Sequence, residues 1–332
     1  PPQAAAALAQ QARSDGFILV GAVGQVPGQQ RRARKDDSMT ATEKTGLDVS
    51  FEFFPPKNAE SETSLWQALR RLEAVKPTFV SVTYGAGGTT RDRTLSTVRR
   101  IVAETSLAPA AHLTCVGASK AEVNAVVKDF WDAGVRHIVA LRGDPPAGVG
   151  SRFTPHPDGY RNAADLVRGI RDLGDFQVTV SAYPEKHPES VSIEEDLAFL
   201  ADKADHGATH AISQFFFHNA FFLRLRDRIA ARGINIKLLP GILPITNFAR
   251  VQEFAAKCGA HIPPDLIARF QGLDADPETR NLVAAMVAAE QVRALTAEGV
   301  DAIHFYTLNR ADLVYAICRM LQLGASSNER AA

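Results

Sequence analysis

Val49-Ser-Phe-Glu-Phe-Phe-Pro-Pro-Lys57 is the stretch from which the fold of this chain is read. Val49, Phe51 and Phe53 alternate with Ser50, Glu52 and Phe54, the two-residue period of a strand whose faces meet different surroundings. Pro55-Pro56 removes two amide donors and ends the ladder. Glu52 therefore stands near the end of a largely apolar strand, with no Lys or Arg nearer in sequence than Lys57. Burying an unpaired carboxylate is costly, or else pushes its pKa up towards neutrality. A chain that keeps such a Glu has paired it structurally or uses its proton, and strand ends leading into loops are where sites gather.

The same unit recurs downstream: a short β-branched or aromatic run, a polar or Gly/Pro-rich turn, then a helical stripe. The runs are Val49–Phe54, Phe79–Tyr84, Ala110–Cys115, His137–Leu141, Gln177–Tyr183, Ala211–Phe217, Ile236–Leu243 and Ala302–Thr307. Eight such runs, with helical segments between them and one after the last, predict an α/β fold, a (β/α)8 TIM barrel in a single domain over residues 47–324. The helices carry their own punctuation. Ser119-Lys-Ala-Glu122 reads as a capping box ahead of Val123, Val126, Val127 and Phe130, and Ser192-Ile-Glu-Glu195 repeats the device ahead of Leu197 and Leu200. Leu65, Leu69 and Leu72 make a stripe after Ser61–Ser64, and Asp276-Pro277 opens a long helix running to Gly299.

Composition excludes several classes. Lys+Arg and Asp+Glu both number 37, so no global field recruits nucleic acid or an anionic membrane. Cys115, Cys258 and Cys318 are odd in number, far apart and form no CxxC, which fits structural thiols in a reducing, cytoplasmic compartment. No apolar run reaches transmembrane length. Residues 1–46 are Ala/Gln-rich, then basic at Arg31–Lys35, and read as a disordered extension without an export signal; residues 325–332 read as a frayed tail. The oligomeric state stays open, with a homo-oligomer allowed.

In a parallel barrel the chemistry sits at the C-terminal ends of the strands, and the polar residues collect there. His112 lies inside an apolar run, where a hydrogen-bonded core histidine is the plainer alternative. Arg142 and Asp144 flank Gly143, and read equally as a structural pair or as groups facing a ligand. Gln214, beside Phe215–Phe217, needs partners for its amide. Gly85, Gly87 and Gly88 form an ordinary loop or a phosphate cradle, but lack the further Gly of a dinucleotide fingerprint. A metal-dependent hydrolase barrel would want paired His on an early strand, whereas the nine histidines are scattered and the first run has none. No metal site is read.

Seven strings, VSFEFFPPK from Val49, FVSVTYG from Phe79, AHLTC from Ala111, RHIVALRGDPP from Arg136, AISQFFF from Ala211, PGILPITNF from Pro240 and HFYTLNR from His304, resemble bacterial methylenetetrahydrofolate reductases in order and spacing. The resemblance implies a (β/α)8 barrel carrying FAD, which reduces 5,10-methylenetetrahydrofolate to 5-methyltetrahydrofolate with NADH or NADPH as co-substrate in a ping-pong sequence. It implies Glu52 as the general acid that opens the folate ring, its carboxyl raised towards neutral by an apolar setting. It implies Asp144 as an electrostatic aid to the resulting cation. Glu52, Asp144, Gln214, Phe254 and Arg310 fall on substrate positions. Thr83, Tyr84, His112, Arg142, Gly143, Asp144, Ala163, Tyr183, His187, Asp196 and Lys203 fall on FAD positions, Ala163 behind a longer loop than the pattern has.

Three departures stand against that pattern. The helix after Ser192 has Phe199 and Asp202 where the family commonly offers an Asn and an Arg, and Arg250 stands where Gln is common. An anion in place of a cation beside a diphosphate predicts weakened FAD binding. The second hypothesis is accordingly a folate- or flavin-binding barrel without reductase turnover.

Overall fold

The computed structural model describes residues 46–85, 90–144 and 153–323, all within one unit that begins at Thr45. Its strands are β1 (Asp48–Phe53), β2 (Phe79–Val82), β3 (Pro109–Thr114), β4 (His137–Leu141), β5 (Gln177–Ala182), β6 (His210–Ser213), β7 (Lys237–Leu239), β8 (Gly241–Ile242) and β9 (Ala302–Tyr306). Helices α1 (Ala59–Glu73), α2 (Arg91–Glu104), α3 (Lys120–Asp132), α4 (Ala163–Leu173), α5 (Ile193–Asp205) and α6 (Asn219–Ala231) each follow the strand of their number. Three helices separate β8 from β9: α7 (Phe248–Cys258), α8 (Pro264–Phe270) and α9 (Pro277–Ala297); α10 (Ala311–Met320) comes last. The expectations for residues 1–45, for Gly87 and Gly88 and for 325–332 lie outside the described residues.

All strand pairs are parallel, in the order β7-β6-β5-β4-β3-β2-β1-β9-β8. The nine strands are the eight predicted runs, because β7 and β8 are two halves of one. Pro240 has no N–H to donate and breaks the ladder between them. Leu239 still pairs with Ile212 of β6, and Gly241 already pairs with His304 of β9. One short segment thus holds both edges of the sheet and completes the barrel. Closure is tight there: a Cβ on Gly241 would collide with the Ser213 carbonyl oxygen and the Tyr306 ring.

The alternation in β1 sorts the strand as the sequence predicts. Val49, Phe51 and Phe53 are buried in the outer core with Leu65, Leu69 and Leu72 of α1 and Ile317 of α10. The inner cluster is small, with Phe79, Ala110, Val139, Ile212, Leu239 and Ala302. By the strand period most of the other inward positions are polar, among them Ser50, Glu52, Ser81, His112, Thr114, His137, Thr179 and His304, with Leu141 and Tyr306 packed against the inner cluster. Barrel interiors are ordinarily filled by branched apolar side chains, so this lining reserves the upper interior for polar work.

The caps hold with two differences. Ser119 and Glu122 form the reciprocal box ahead of α3. At α5, Ser192 accepts from the Glu195 N–H, but the Glu195 carboxylate turns back to the N–H of Val191, one residue beyond the cap. Helix α1 starts before Ser61, because Asn58 and Ser61 make a box of their own. Asn247 caps α7, accepting from the Arg250 N–H, and the helix stops at Gly259 with φ 72°. Helices α7, α8 and α9 share a second apolar cluster that includes Phe215, Phe248 and Phe270. No helix among the described residues is long and apolar enough to cross a membrane.

Candidate active site

Glu52 faces inward at the C-terminal end of β1, with its side chain 14 % exposed. Its backbone is pinned from β9: the carbonyl accepts from Thr307 Oγ1 at 2.5 Å and Thr307 N at 3.3 Å. Two residues on, Asn309 uses its side-chain amide as a surrogate strand, Oδ1 accepting from Phe54 N at 2.9 Å and Nδ2 donating to Phe54 O at 3.0 Å. Asn309 has φ 58°, a left-handed conformation that Asn tolerates better than other side-chain-bearing residues. Replacing Asn309 with Ala should lower unfolding free energy by ~1–2 kcal/mol, two ordinary hydrogen bonds. Denaturant titration checks this; an unchanged midpoint would make the amide clasp incidental.

Two imidazoles converge on one oxygen of that carboxyl. His112 Nε2 lies 3.4 Å and His304 Nε2 3.8 Å from Glu52 Oε2. Both nitrogens are buried without a hydrogen-bond partner among the described residues, as are Ser81 Oγ and Thr114 Oγ1 nearby. Burial alone would raise the Glu52 carboxyl, as its sequence neighbours suggest. The approach of His304 and the charge that His112 and His304 can carry outweigh burial, and the group ends below its ordinary value. The raised carboxyl expected from the sequence is therefore corrected, since its real neighbours come from other strands. Burial pushes the His112 imidazole down; the Glu52 carboxylate opposes this and His304 adds to it.

A second group of predicted residues forms a braced wall over β4 and β5. Arg142 makes a bidentate pair with Glu189, at 2.7 and 2.9 Å, rather than the pair with Asp144 considered from sequence. Gly143 has φ 86°, which keeps that turn in a conformation suited to glycine. Tyr183 meets His187 edge to face at 4.6 Å. Asp196 reaches back from α5 to accept from His187 N at 2.8 Å and Ser190 Oγ at 2.5 Å. Lys203 donates to Ser181 O at 2.8 Å; burial pushes its ammonium down to about 8 against the pull of Asp196 and Asp202. Burial likewise pushes the Tyr183 phenol up to about 12.

The other predicted positions sit around the mouth. Thr83 donates its N–H to Phe53 O and accepts from Thr94 Oγ1 at its carbonyl, both at 2.9 Å. Tyr84 is half-buried, its phenol raised by burial. Gln214 is half-buried rather than sealed among the phenylalanines, and its Oε1 accepts from Phe215 N at 3.0 Å. Phe254 of α7 stacks on Phe215 at 5.4 Å and keeps its other face open, 51 % exposed. Asp144 and Arg310 are exposed on the rim, and Ala163 opens α4. Sequence reasoning left out Ser50, His304, Glu189 and Asn309. The signal for Ser50 was its shared face with Glu52; His304 and Asn309 lay in a recognised string without an assigned role.

The comparisons agree with one another. A family model described as methylenetetrahydrofolate reductase matches residues 38–322. A 5,10-methylenetetrahydrofolate reductase of Pectobacterium carotovorum is 49 % identical over 275 residues, 83 % of this chain and 90 % of that protein. That of Escherichia coli K12 is 48 % identical over the same shares. Arabidopsis thaliana methylenetetrahydrofolate reductase (NADH) 1 is 34 % identical over 82 % of this chain and 48 % of its own length. Among solved structures, a Clostridium thermocellum protein described as binding two copies of 5-methyl-5,6,7,8-tetrahydrofolic acid superposes with a TM-score of 0.57 at 13 % identity, over 84 % of this chain and 95 % of that one, a likeness of fold.

Proposed function

This chain belongs to the methylenetetrahydrofolate reductase family, and from that premise we propose that it reduces 5,10-methylenetetrahydrofolate to 5-methyltetrahydrofolate with NAD(P)H through bound FAD. The observation that carries the reading is Glu52, an inward carboxyl at the barrel mouth with two buried imidazoles turned to it. The residues around it fit a flavin. Ser81 Oγ, Thr114 Oγ1 and His112 Nε2 are buried polar atoms awaiting partners, and a heteroaromatic ring with donors and acceptors on its edge supplies them. Thr83, Tyr84, Arg142, Gly143, Tyr183 and His187, at the ends of β2, β4 and β5, would hold it together with Ala163, Asp196 and Lys203. FAD, when bound, would supply the hydride carrier between nicotinamide and folate.

The chain's own task is the proton. Glu52 donates to the bridging nitrogen of the folate while the carbon–nitrogen bond breaks with its electron pair on that nitrogen, leaving a 5-iminium carbon ready for hydride. Asp144, an exposed carboxylate, favours that cation. Gln214 and Arg310 hold the folate, and the open face of Phe254 gives a flat ring somewhere to lie, nicotinamide and folate taking it in turn. Purified protein should be yellow, bleach with NADH or NADPH, and recover colour on adding methylenetetrahydrofolate. A yellow protein that no nicotinamide bleaches would be a binding barrel instead.

Asp202 supplies a second test. It lies 3.2 Å from His206 Nδ1, and Phe199 is half-exposed on the same helix. Placing an Arg where the family has one adds a charge-assisted donor beside the diphosphate. Asp202→Arg should tighten FAD binding by ~10-fold, about 1.4 kcal/mol, read as flavin fluorescence released on dilution. Stoichiometric flavin retained by the unaltered protein through gel filtration, or no change in the variant, would refute the weakened site.

A further inference from the structure

His304 has no role in the scheme above, yet its surroundings are specific. The ring is fully buried on β9, in register with Ser50, one layer beneath the level at which Glu52 pairs with Tyr306. It lies against Phe79 at 5.8 Å and edge to face with Tyr306 at 5.4 Å. Its Nδ1 is 2.8 Å from Ser50 Oγ, and that hydroxyl lies within 3.3 Å of the Ile303 carbonyl, to which it donates. A hydroxyl has one proton; with it spent on the carbonyl, Ser50 Oγ accepts from Nδ1–H. Nε2 then faces Glu52 Oε2. A bare nitrogen lone pair against an ionised carboxylate in a dry interior is repulsive, so the two atoms require a proton between them.

We propose that His304 is a positioning residue for the acid step: one exchangeable proton is shared between its Nε2 and Glu52 Oε2, and Ser50 fixes the imidazole in the Nδ1–H form. At 3.8 Å the pair stands just outside hydrogen-bond contact, and such bonds commonly tighten when substrate binds. The arrangement answers the difficulty raised by the carboxyl's own position. An acid that sits as a carboxylate in the free site still has its proton at hand on the neighbouring ring. His112 on β3, His137 on β4 and the Tyr306 phenol on β9 are the titratable groups that share the pair's electrostatic surroundings. His304 itself lies too deep to touch the folate, so it acts through Glu52. The inference rests on the reductase reading for its kinetic consequence and on the apoprotein geometry for the proton itself.

The two are tested separately on the full chain. In 15N-histidine NMR, with His304 assigned by its loss in His304→Gln, the ring should be protonated at Nδ1, and Ser50→Ala should release that fixed tautomer. In stopped-flow work, His304→Gln keeps an N–H towards Glu52 but cannot carry a proton. Reoxidation of reduced flavin by methylenetetrahydrofolate should fall at least ~10-fold relative to flavin reduction by NAD(P)H, within the range of a general-acid contribution. The alkaline limb of its pH profile should move to lower pH. Ser50→Ala should shift that limb the same way, and covers the case in which the histidine variant does not fold. An Nδ1 without a proton in the unaltered protein, an unmoved limb, or equal loss in both half-reactions would overturn the shared proton. Absence of any folate-driven reoxidation in the unaltered protein would overturn the reductase reading, leaving the NMR result to judge the pair.

Discussion

Glu52→Gln is expected to leave flavin bleaching by NAD(P)H intact and to slow reoxidation by methylenetetrahydrofolate by ~10²–10⁴-fold, the usual worth of a positioned general acid. The amide has the shape of the carboxyl and sits in the same clasp of Thr307 and Asn309, both of which hold backbone or the neighbouring residue rather than the Glu52 side chain. It can donate a hydrogen bond but cannot release a proton to a leaving nitrogen at neutral pH. The loss should therefore fall on the half-reaction that breaks a carbon–nitrogen bond. Hydride transfer between nicotinamide and flavin needs no such proton and should proceed. Some stability at neutral pH should be lost, since the folded state favours the charge that the change removes, and intact bleaching by NAD(P)H serves as the control that the barrel is still folded. Single-turnover absorbance at the flavin band reads both halves in one instrument. Equal loss in the two would show Glu52 to be a structural group, and the mechanism argued from it would go.

The barrel was legible because its rules are local. Two-residue alternation in β1 separated Phe51 and Phe53 from Ser50 and Glu52 onto two unlike faces, and runs separated by capped helices at barrel spacing called for parallel closure. The break in the seventh run was open to prediction too, since Pro240 sits inside it without a donor. What local rules could not give was company. Ser50 and His304 are 254 residues apart and meet only because β1 and β9 pair on closure. The carboxyl looked unpaired among phenylalanines in sequence; in space its neighbours are imidazoles from β3 and β9, and they reverse the direction of its shift. Arg142 had Asp144 two residues away and took Glu189 instead, because the loop after β5 folds over β4. Sequence neighbours were a good guide to elements and a poor guide to charge.

Acid should weaken this fold well before its carboxylates are protonated, and His137 is the reason. Its ring faces inward on β4, with Nε2 2.7 Å from Thr179 Oγ1 and its plane edge to face with Phe79 at 4.7 Å. Burial first, then the proximity of His210, His112 and His304, pushes the group from 6.5 down to about 3. In the unfolded chain it titrates near the ordinary imidazole value. Between those two pH values the unfolded state binds the proton that the native state refuses, so stability is full above about pH 6.5 and falls as pH drops towards about 3. At ~1.4 kcal/mol per unit the whole window amounts to ~4–5 kcal/mol, a large fraction of the ~5–15 kcal/mol that holds a typical domain. Depressed carboxylates such as Glu52 and Glu189 act in the same direction, but only below their ordinary value of 4.5. The stretch from pH 6.5 down to 4.5 therefore isolates the imidazoles. His137→Gln, which keeps an N–H for Thr179 and cannot be protonated, should flatten that stretch by ~2–3 kcal/mol in denaturant titrations run across it, at some cost in stability at pH 8. Parallel curves for the variant and the unaltered chain would mean that the buried ring is not refusing a proton, and that acid sensitivity, if present, arises elsewhere.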